Sequence, residues 1–216
     1  MFLIIGIGNK GSEFKNTRHN VGFIFVDQMV KEMSADSMGD KFDAEYFKAH
    51  CNDYRFDIVK PNTYVNLTGK TSSSWMGMHK QPVQHILTIY DDADMPLGTA
   101  KYRFAGTSGG HNGLRSIDAM SGKNYHKLRI GISSPKRQQE KLSKFVLGKF
   151  EDDELLTIES MGKSFAEFLM LLINGKMPSY LKGVQQFKMP AGDFSFDILK
   201  NGVNFWQKFW QKNYNS

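Results

Sequence analysis

The chain has 216 residues, of which 40% are hydrophobic, and it carries a formal net charge of +6 at pH 7 with a pI of ≈ 9.2. This length and composition predict one globular domain and exclude a disordered chain. The positive charge favours a polyanionic partner such as nucleic acid. The single cysteine, Cys51, excludes an intramolecular disulfide and indicates a reducing compartment.

Apolar runs along the chain predict alternating strands and helices. Strands are predicted over residues 2–7, 45–50, 55–59, 85–90, 99–104 and 127–132. Helices are predicted over residues 21–33 and 68–78, from about residue 112, and over residues 151–174. Residues 34–41 are predicted to form a loop. Because the elements interleave without an internal repeat, we expect an α/β fold: a single domain with a twisted mixed sheet covered by helices.

The sequence has no feature of a secretion signal or a membrane span. Residues 1–6 are apolar, but they lack a basic region and are too short for a signal peptide. The most apolar helical stretch, residues 165–173, contains Glu167 and is too short to cross a bilayer. We therefore expect a cytoplasmic protein with no membrane partner.

Two short strings, TRHN at residues 17–20 and GGHNG at residues 109–113, each place a histidine beside an asparagine. Imidazole is suited to proton transfer at neutral pH. A carboxamide holds a water molecule or a carbonyl group without changing its own charge. No serine or cysteine nucleophile motif accompanies the strings, so the pattern predicts that a histidine activates a water molecule.

Three predicted loops bring further polar groups to one edge of the sheet. Asn9 follows the first strand, Asp91 follows the strand at residues 85–90, and the glycine-rich loop 106–110 follows the strand at 99–104. Ligands of α/β sheets collect where strands end in loops. We expect Asp91 to face a histidine, and Asp92 and Asp94 to lie in a solvated turn.

Metal and nucleotide chemistry have weaker support. The sequence contains no HxxxH, HxH or cysteine pair of the kind that metal sites use. The string GIGNKG at residues 6–11 lacks the GxGxxG spacing and the following helix of a dinucleotide site. We therefore expect no metal and no cofactor. The remaining histidines are predicted to be structural or exposed; they are His50, His79, His85 and His126.

The two histidine strings belong to a longer set of motifs. The set consists of GIGN at 6–9, TRHNVG at 17–22, KPNTYVNLTG at 60–69, DDADMPLG at 91–98, GGHNGLRS at 109–116 and LRIGI at 128–132. In this order the motifs resemble the bacterial-type peptidyl-tRNA hydrolase family over about residues 1–186. The resemblance implies a catalytic domain, which we expect to span residues 1–189.

The resemblance implies an esterase that cleaves the bond between a peptide and the 3′ ribose of tRNA. Such an enzyme recycles tRNA from abortive translation, a form of translation quality control and ribosome rescue. The resemblance implies His19 as the general base, Asp91 as the carboxylate that orients it, and Asn9 as a third catalytic residue. Water would attack the ester directly, with no covalent intermediate.

The same resemblance implies residues that bind peptidyl-tRNA. They are Phe14, Asn20, Tyr64, Asn66, Gly109, His111 and Asn112 around the cleft, and Lys101, Arg103 and Arg129 in a basic rim for tRNA phosphates. The rings of Phe14 and Tyr64 would flank the terminal adenosine or the peptide. Taken singly, each asparagine is a turn or cap residue and each cation is a solvated surface charge.

The sequence departs from the family pattern in three respects. Lys10 stands where proline is usual. Val65 and Thr68 replace a frequent methionine and serine. None of these changes touches His19 or Asp91. The third departure is a C-terminal extension, residues 190–216.

Within the extension, Leu199, Val203, Trp206 and Trp210 fall on one stripe of a helix, with polar residues on the other side. We expect an extra C-terminal amphipathic helix that packs on the body of a monomeric protein. A surface for a partner or for self-association, or an interfacial membrane anchor, are the alternatives.

Two other functions fit parts of the sequence. A non-catalytic RNA-binding relative of the same fold would not need both His19 and Asp91. A small-molecule hydrolase would not need the basic rim. We therefore favour hydrolysis of peptidyl-tRNA.

Overall fold

A nine-stranded mixed sheet organises the part of the chain that the computed structural model describes, residues 1–51, 54–173, 187–189 and 192–194. The strands are β1 (Phe2–Gly6), β2 (Asp36–Lys41), β3 (Ala44–Cys51), β4 (Tyr54–Pro61), β5 (Ile86–Pro96), β6 (Ala100–Phe104), β7 (His126–Ser133), β8 (Phe187–Met189) and β9 (Gly192–Phe194). Their order across the sheet is β2-β3-β4-β1-β5-β7-β6-β9-β8. The four central strands, β4, β1, β5 and β7, are parallel.

Helices cover both faces of the sheet. They are α1 (Val21–Glu32), α2 (Thr68–His79), α3 (Asn112–Ser121), α4 (Leu142–Leu147) and α5 (Asp152–Ile173). Every residue of β1 is buried, because Phe2 and Ile4 pack beneath α1 and α5 while Leu3 and Ile5 pack beneath α2 and α3. A continuous apolar run is what a parallel strand covered on both faces requires.

Helix α1 begins in direct contact with the sheet. A Cβ atom added to Gly22 would lie 2.4 Å from the backbone nitrogen of Ile7 and 2.4 Å from the carbonyl oxygen of Ile89. Only glycine permits this approach. The 3₁₀ turn Arg18–Asn20, which immediately precedes α1, is therefore held beside the carboxyl ends of β1 and β5.

The structure confirms the predicted α/β architecture and differs from the sequence prediction in several elements. The predicted loop at residues 34–41 is wrong, because Asp36–Lys41 forms β2 and pairs with β3. All six residues of this edge strand are exposed, so they show no apolar alternation. The predicted turn at residues 91–94 is also wrong. Strand β5 continues to Pro96, with a shift of register between Asp92 and Pro96.

The C-terminal extension lies mostly outside the described residues. Of residues 190–216, the structure describes only Gly192–Phe194, which form β9 and not a helix. Strands β8 and β9 form an antiparallel pair across the predicted boundary at residues 189 and 190. The predicted helix at residues 195–216 stays a prediction. Within the described residues, no helix is both long and apolar enough to cross a membrane.

Candidate active site

A cleft of ≈ 750 Å³ opens beyond the carboxyl ends of β1 and β4 and beside the middle of β5. The predicted site residues that line it are Asn9, His19, Asn66, Asp91, Arg103, Gly109, His111, Asn112 and Arg129. They come from widely separated parts of the chain. The parallel strands bring them together because their carboxyl ends meet at one edge.

His19 and Asp91 form the central contact of the cleft. The Nδ1 atom of His19 lies 2.7 Å from Oδ1 of Asp91, and both side chains are largely buried. Burial alone would lower the pKa of His19, but the charge of Asp91 and its hydrogen bond outweigh burial and raise that pKa. Burial alone would raise the pKa of Asp91, but His19 and His111 together lower it. Asp91 is therefore held as a carboxylate.

His111 contacts the same carboxylate oxygen. Its Nε2 atom lies 3.0 Å from Oδ1 of Asp91, and its Nδ1 accepts a hydrogen bond from the backbone N–H of Leu114 at 3.4 Å, which caps α3. Since Nδ1 accepts, Nε2 carries the proton and donates it to Asp91. The carboxylate in turn keeps the proton of His19 on Nδ1, which leaves Nε2 of His19 as a proton acceptor.

The facing atoms of His19, Asp91 and His111 lie within 4.8 Å of one another, a spacing that also suits a metal ion. The hydrogen bonds already use each of these atoms, and the other ring nitrogen of His111 is used by Leu114. Hydrogen bonds from the two histidines to Asp91 therefore hold the three side chains together without an ion. Our expectation of no metal stays a prediction.

Asn9 is buried and fixed by its neighbours. Its Oδ1 accepts a hydrogen bond from the backbone N–H of Val65 at 3.0 Å, so its Nδ2 group is the donor that remains for the cleft. Asn20 exchanges two hydrogen bonds with the backbone of Asn9, at 2.9 and 3.0 Å. Asn20 was predicted to bind substrate. The structure places it in a buried position that is not part of the cleft lining, where its amide group holds Asn9 in place.

Asn66, Gly109 and Asn112 lie on exposed parts of the cleft wall. Asn66 lies in the 3₁₀ turn Val65–Leu67 that follows β4. Gly109 has a φ of 59°, a left-handed conformation in the loop before α3. Asn112 is the first residue of α3, so its amide group stands at the positive end of the helix dipole.

The predicted basic rim lies on β6 and β7. Arg129 and Lys101 are paired across the two strands, and Arg129 donates to Oδ2 of Asp92 through Nε at 2.7 Å and through a second nitrogen. Asp92 is thus partly buried and ion-paired, which corrects the prediction that it lies in a solvated turn. Arg103 donates to the carbonyl of Thr107. Lys101 is exposed but does not line the cleft.

Phe14 and Tyr64 lie outside the lining of the cleft. Their rings pack edge to face with centroids 6.4 Å apart, and Tyr64 is 61% exposed. Tyr64 directly precedes Val65 and Asn66, which do line the cleft. The backbone N–H of Lys10 donates to the carbonyl of Thr63 at 3.4 Å and joins the loops that follow β1 and β4.

Sequence reasoning missed a buried arginine that supports His19. The guanidinium of Arg18 lies between the rings of Phe145 and Phe150, with its carbon 4.8 and 5.3 Å from their centroids. It donates to Oε2 of Glu154 at 2.5 Å and to the carbonyl of Lys149. The string TRHN contained this residue, but a charged residue in a polar string gives no sign of burial.

Sequence reasoning also missed α4. Leu142, Val146 and Leu147 of this helix line the cleft, and Leu142 is 51% exposed. The helix has six residues, too few to establish a helical period in the sequence. These side chains form an apolar wall of the cleft.

Comparisons with known proteins agree with this geometry. A family model described as peptidyl-tRNA hydrolase matches residues 3–191. The chain is 36% identical over 181 residues to a peptidyl-tRNA hydrolase of Rickettsia bellii, which covers 83% of the chain and 97% of that protein. It is 34% identical over 184 residues to a peptidyl-tRNA hydrolase of Bartonella bacilliformis, and this alignment covers 85% of the chain and 95% of that protein. The crystal structure of peptidyl-tRNA hydrolase from Acinetobacter baumannii matches with a TM-score of 0.72 and 32% identity, covering 82% of this chain and 90% of that one.

Proposed function

Because this chain belongs to the peptidyl-tRNA hydrolase family and hydrolyses peptidyl-tRNA, we propose that His19 is the general base of that reaction. The observation that carries the proposal is the 2.7 Å contact between Nδ1 of His19 and Asp91. This contact leaves Nε2 of His19 unprotonated and available in the cleft. General-base help of this kind contributes about 10²–10⁴ in rate.

In the proposed reaction, Nε2 of His19 takes a proton from water as the water oxygen attacks the ester carbonyl. The carbonyl oxygen becomes an oxyanion, which the free Nδ2 donor of Asn9 is placed to stabilise. Asp91 stabilises the imidazolium that forms. The tetrahedral intermediate then expels the ribose oxygen, which takes the proton back from Nε2. No covalent bond to the protein is needed, because a ribose hydroxyl is an adequate leaving group.

The proposed substrate contacts follow the lining of the cleft. Asn66 and Asn112 offer amide groups to the peptide main chain or the terminal adenosine, and Arg103 and Arg129 offer positive charge to the phosphates. Phe14 and Tyr64 are proposed to stack on the unpaired 3′ end from the neighbouring surface. We also propose that the chain acts as a monomer in the cytoplasm, which sedimentation velocity and cell fractionation would test.

The test is release of the blocked amino acid from N-acetyl-aminoacyl-tRNA. Wild-type protein should turn the substrate over in the presence of EDTA, and His19→Asn should lose at least 10²-fold in kcat while keeping its fold and its affinity for tRNA. A His19→Asn variant within tenfold of wild type would contradict the assignment of the base. A wild type that binds tRNA without turnover would favour the RNA-binding function instead.

A further inference from the structure

A fully buried lysine lies next to the cleft and takes no part in the chemistry above. The Nζ atom of Lys127, on β7, donates to the carbonyl oxygens of Gly106 at 3.1 Å and Lys123 at 3.0 Å. It also lies 3.6 Å from the centroid of the Tyr125 ring, a close cation–π contact. A buried ammonium group requires such partners, because burial without them is strongly unfavourable.

The two carbonyl groups bracket the segment that presents α3 to the cleft. Gly106 begins the loop that leads to His111 and Asn112, and Lys123 follows the end of α3. The loop contains several residues with left-handed backbone conformations, with φ of 61° at Ala105 and 95° at Gly106. Its remaining hydrogen bonds to neighbouring strands and loops include Ala105 N–H to Tyr125 and the Arg103 side chain to Thr107.

We propose that Lys127 is a positioning residue that fixes the loop and the N-terminus of α3, so that Asn112 and Gly109 face the 3′ end of the bound substrate. The inference rests on the proposed function of the cleft. The ammonium group touches neither substrate nor the reacting atoms. It acts through Gly106, two residues before the lining of the cleft resumes at Ser108.

The charge on Lys127 is sensitive to mildly alkaline pH. Burial lowers the pKa of Lys127 to about 8, with Asp118 opposing this effect and Arg103 adding to it. Two further titratable groups lie close to it: Tyr125, whose ring the ammonium group contacts, and His126, whose pKa responds to the charge on Lys127. Burial raises the pKa of Tyr125 and lowers that of His126 to about 3. Tyr125 and His126 therefore both stay neutral over the range in which Lys127 loses its proton.

Deprotonation would weaken the two hydrogen bonds and remove the cation–π contact. Because the pKa of Lys127 is lower in the folded chain than in the unfolded chain, its contribution to stability grows as the pH rises above about 8. A loss of substrate affinity in this range is therefore not explained by unfolding at this residue. As the pH rises above about 8, the hold of Lys127 on the loop weakens, while its contribution to the stability of the whole fold grows.

The experiment compares wild type, Lys127→Arg and Lys127→Met. The KM and kcat are measured between pH 7 and 9.5, after subtraction of spontaneous ester hydrolysis, on N-acetyl-aminoacyl-tRNA and on a minimal substrate with only the terminal nucleoside. For wild type, we expect KM on both substrates to rise about three- to tenfold between pH 7.5 and 9, as the charged fraction falls. Lys127→Arg should keep KM low over this range, since arginine stays charged. Lys127→Met should have a raised KM at every pH.

The matched control is Lys123→Met, which removes the same charge from an exposed side chain in the neighbouring loop but leaves its backbone carbonyl in place. It should follow the wild-type profile on the minimal substrate. A wild-type KM that is constant to pH 9.5, or a Lys127→Met enzyme with wild-type KM on the minimal substrate, overturns the inference. Either result leaves the proposed function intact as long as wild type hydrolyses the ester and His19→Asn does not.

Discussion

At the scale of single residues, Asp91 accepts hydrogen bonds from two imidazoles at one carboxylate oxygen. The two histidines differ in what their second nitrogen does. His111 caps α3 through Nδ1, whereas Nε2 of His19 is left for the cleft that His19 lines. Both ring nitrogens of His111 are therefore used in hydrogen bonds within the fold, whereas Nε2 of His19 is the atom that we propose as the proton acceptor.

Replacement of Asp91 by asparagine tests this division. The side chain keeps its size but loses the charge that raises the pKa of His19, so the acid limb of kcat/KM should move to lower pH. In wild type we expect this limb to lie above the ordinary histidine pKa of 6.5, because the pKa of His19 is raised and the base must lose its proton before it acts. The plateau value of kcat should fall roughly 10- to 10³-fold, since control of the imidazole tautomer is weakened.

The control for Asp91→Asn is Asp36→Asn, the same change of charge on an exposed edge strand. It should leave the pH profile unchanged. Full pH profiles with N-acetyl-aminoacyl-tRNA supply the measurement for both variants. If Asp91→Asn lowers kcat by less than threefold and leaves the acid limb in place, Asp91 does not act through His19.

At the scale of elements, the turn that carries His19 depends on its contact with the segment between α4 and α5. Arg18 N–H donates to the carbonyl of Gly148 at 2.9 Å, and Thr17 forms an isolated β-bridge with Lys149. The buried ion pair of Arg18 and Glu154 joins the turn to α5 itself. The catalytic turn is thus fixed on one side by α1 and on the other by α5.

The variant Glu154→Gln tests how strongly the fold depends on this ion pair. The variant leaves the buried guanidinium of Arg18 without a compensating charge, which should destabilise the fold by about 3 kcal/mol. For a chain of this length, the Tm should fall by roughly 6–12 °C in a calorimetric scan. Glu151→Gln is the control, because Glu151 pairs with Lys136 on the surface, and it should leave the Tm nearly unchanged. Equal Tm values for the two variants would contradict the buried role of Glu154.

The elements divide clearly into those that sequence predicts and those it does not. Strand β1 was predicted because a strand buried on both faces must be apolar throughout. Strand β2 was not, because an exposed edge strand is held by backbone pairing alone. The position of Asp91 after an apolar strand predicts that it faces a histidine, but only the family motifs identify that histidine as His19. The two residues are 72 positions apart, and local pattern carries no information on such contacts. The roles of Arg18 and Lys127 were missed because both are charged residues that the fold buries.

At the scale of the whole molecule, the cleft contains a buried negative charge and, on neighbouring strands, positive charges. The buried carboxylate of Asp91 contacts His19, the proposed general base, while Arg103 and Arg129 line the same cleft at the next two strands. We propose that the net charge of +6 attracts the polyanionic tRNA from a distance and that the groups inside the cleft then act on the ester. This division separates binding of the tRNA body from the chemistry at its 3′ end.

The C-terminal extension supplies the last prediction. Its stripe of Leu199, Val203, Trp206 and Trp210 lies in residues 195–216, outside the described residues, and predicts an amphipathic helix on the body of the protein. Burial of several hundred Å² of apolar surface at about 25 cal/mol per Å² offsets the ordering of such a helix only if most of the stripe is covered. Truncation after Phe194, which keeps β9, should therefore lower the Tm by about 2 °C or more and leave kcat unchanged.

Tryptophan fluorescence separates this prediction from its alternatives. The chain has three tryptophans, and truncation leaves only Trp75, which is fully buried, so the difference spectrum reports Trp206 and Trp210. If the stripe packs on the protein, that difference is already blue-shifted in buffer, because indole emission shifts to shorter wavelength in an apolar environment. In that case, liposomes of anionic lipid should not change it. An unchanged Tm on truncation, with a blue shift that develops only after liposomes or a partner are added, would contradict intramolecular packing and favour an external surface.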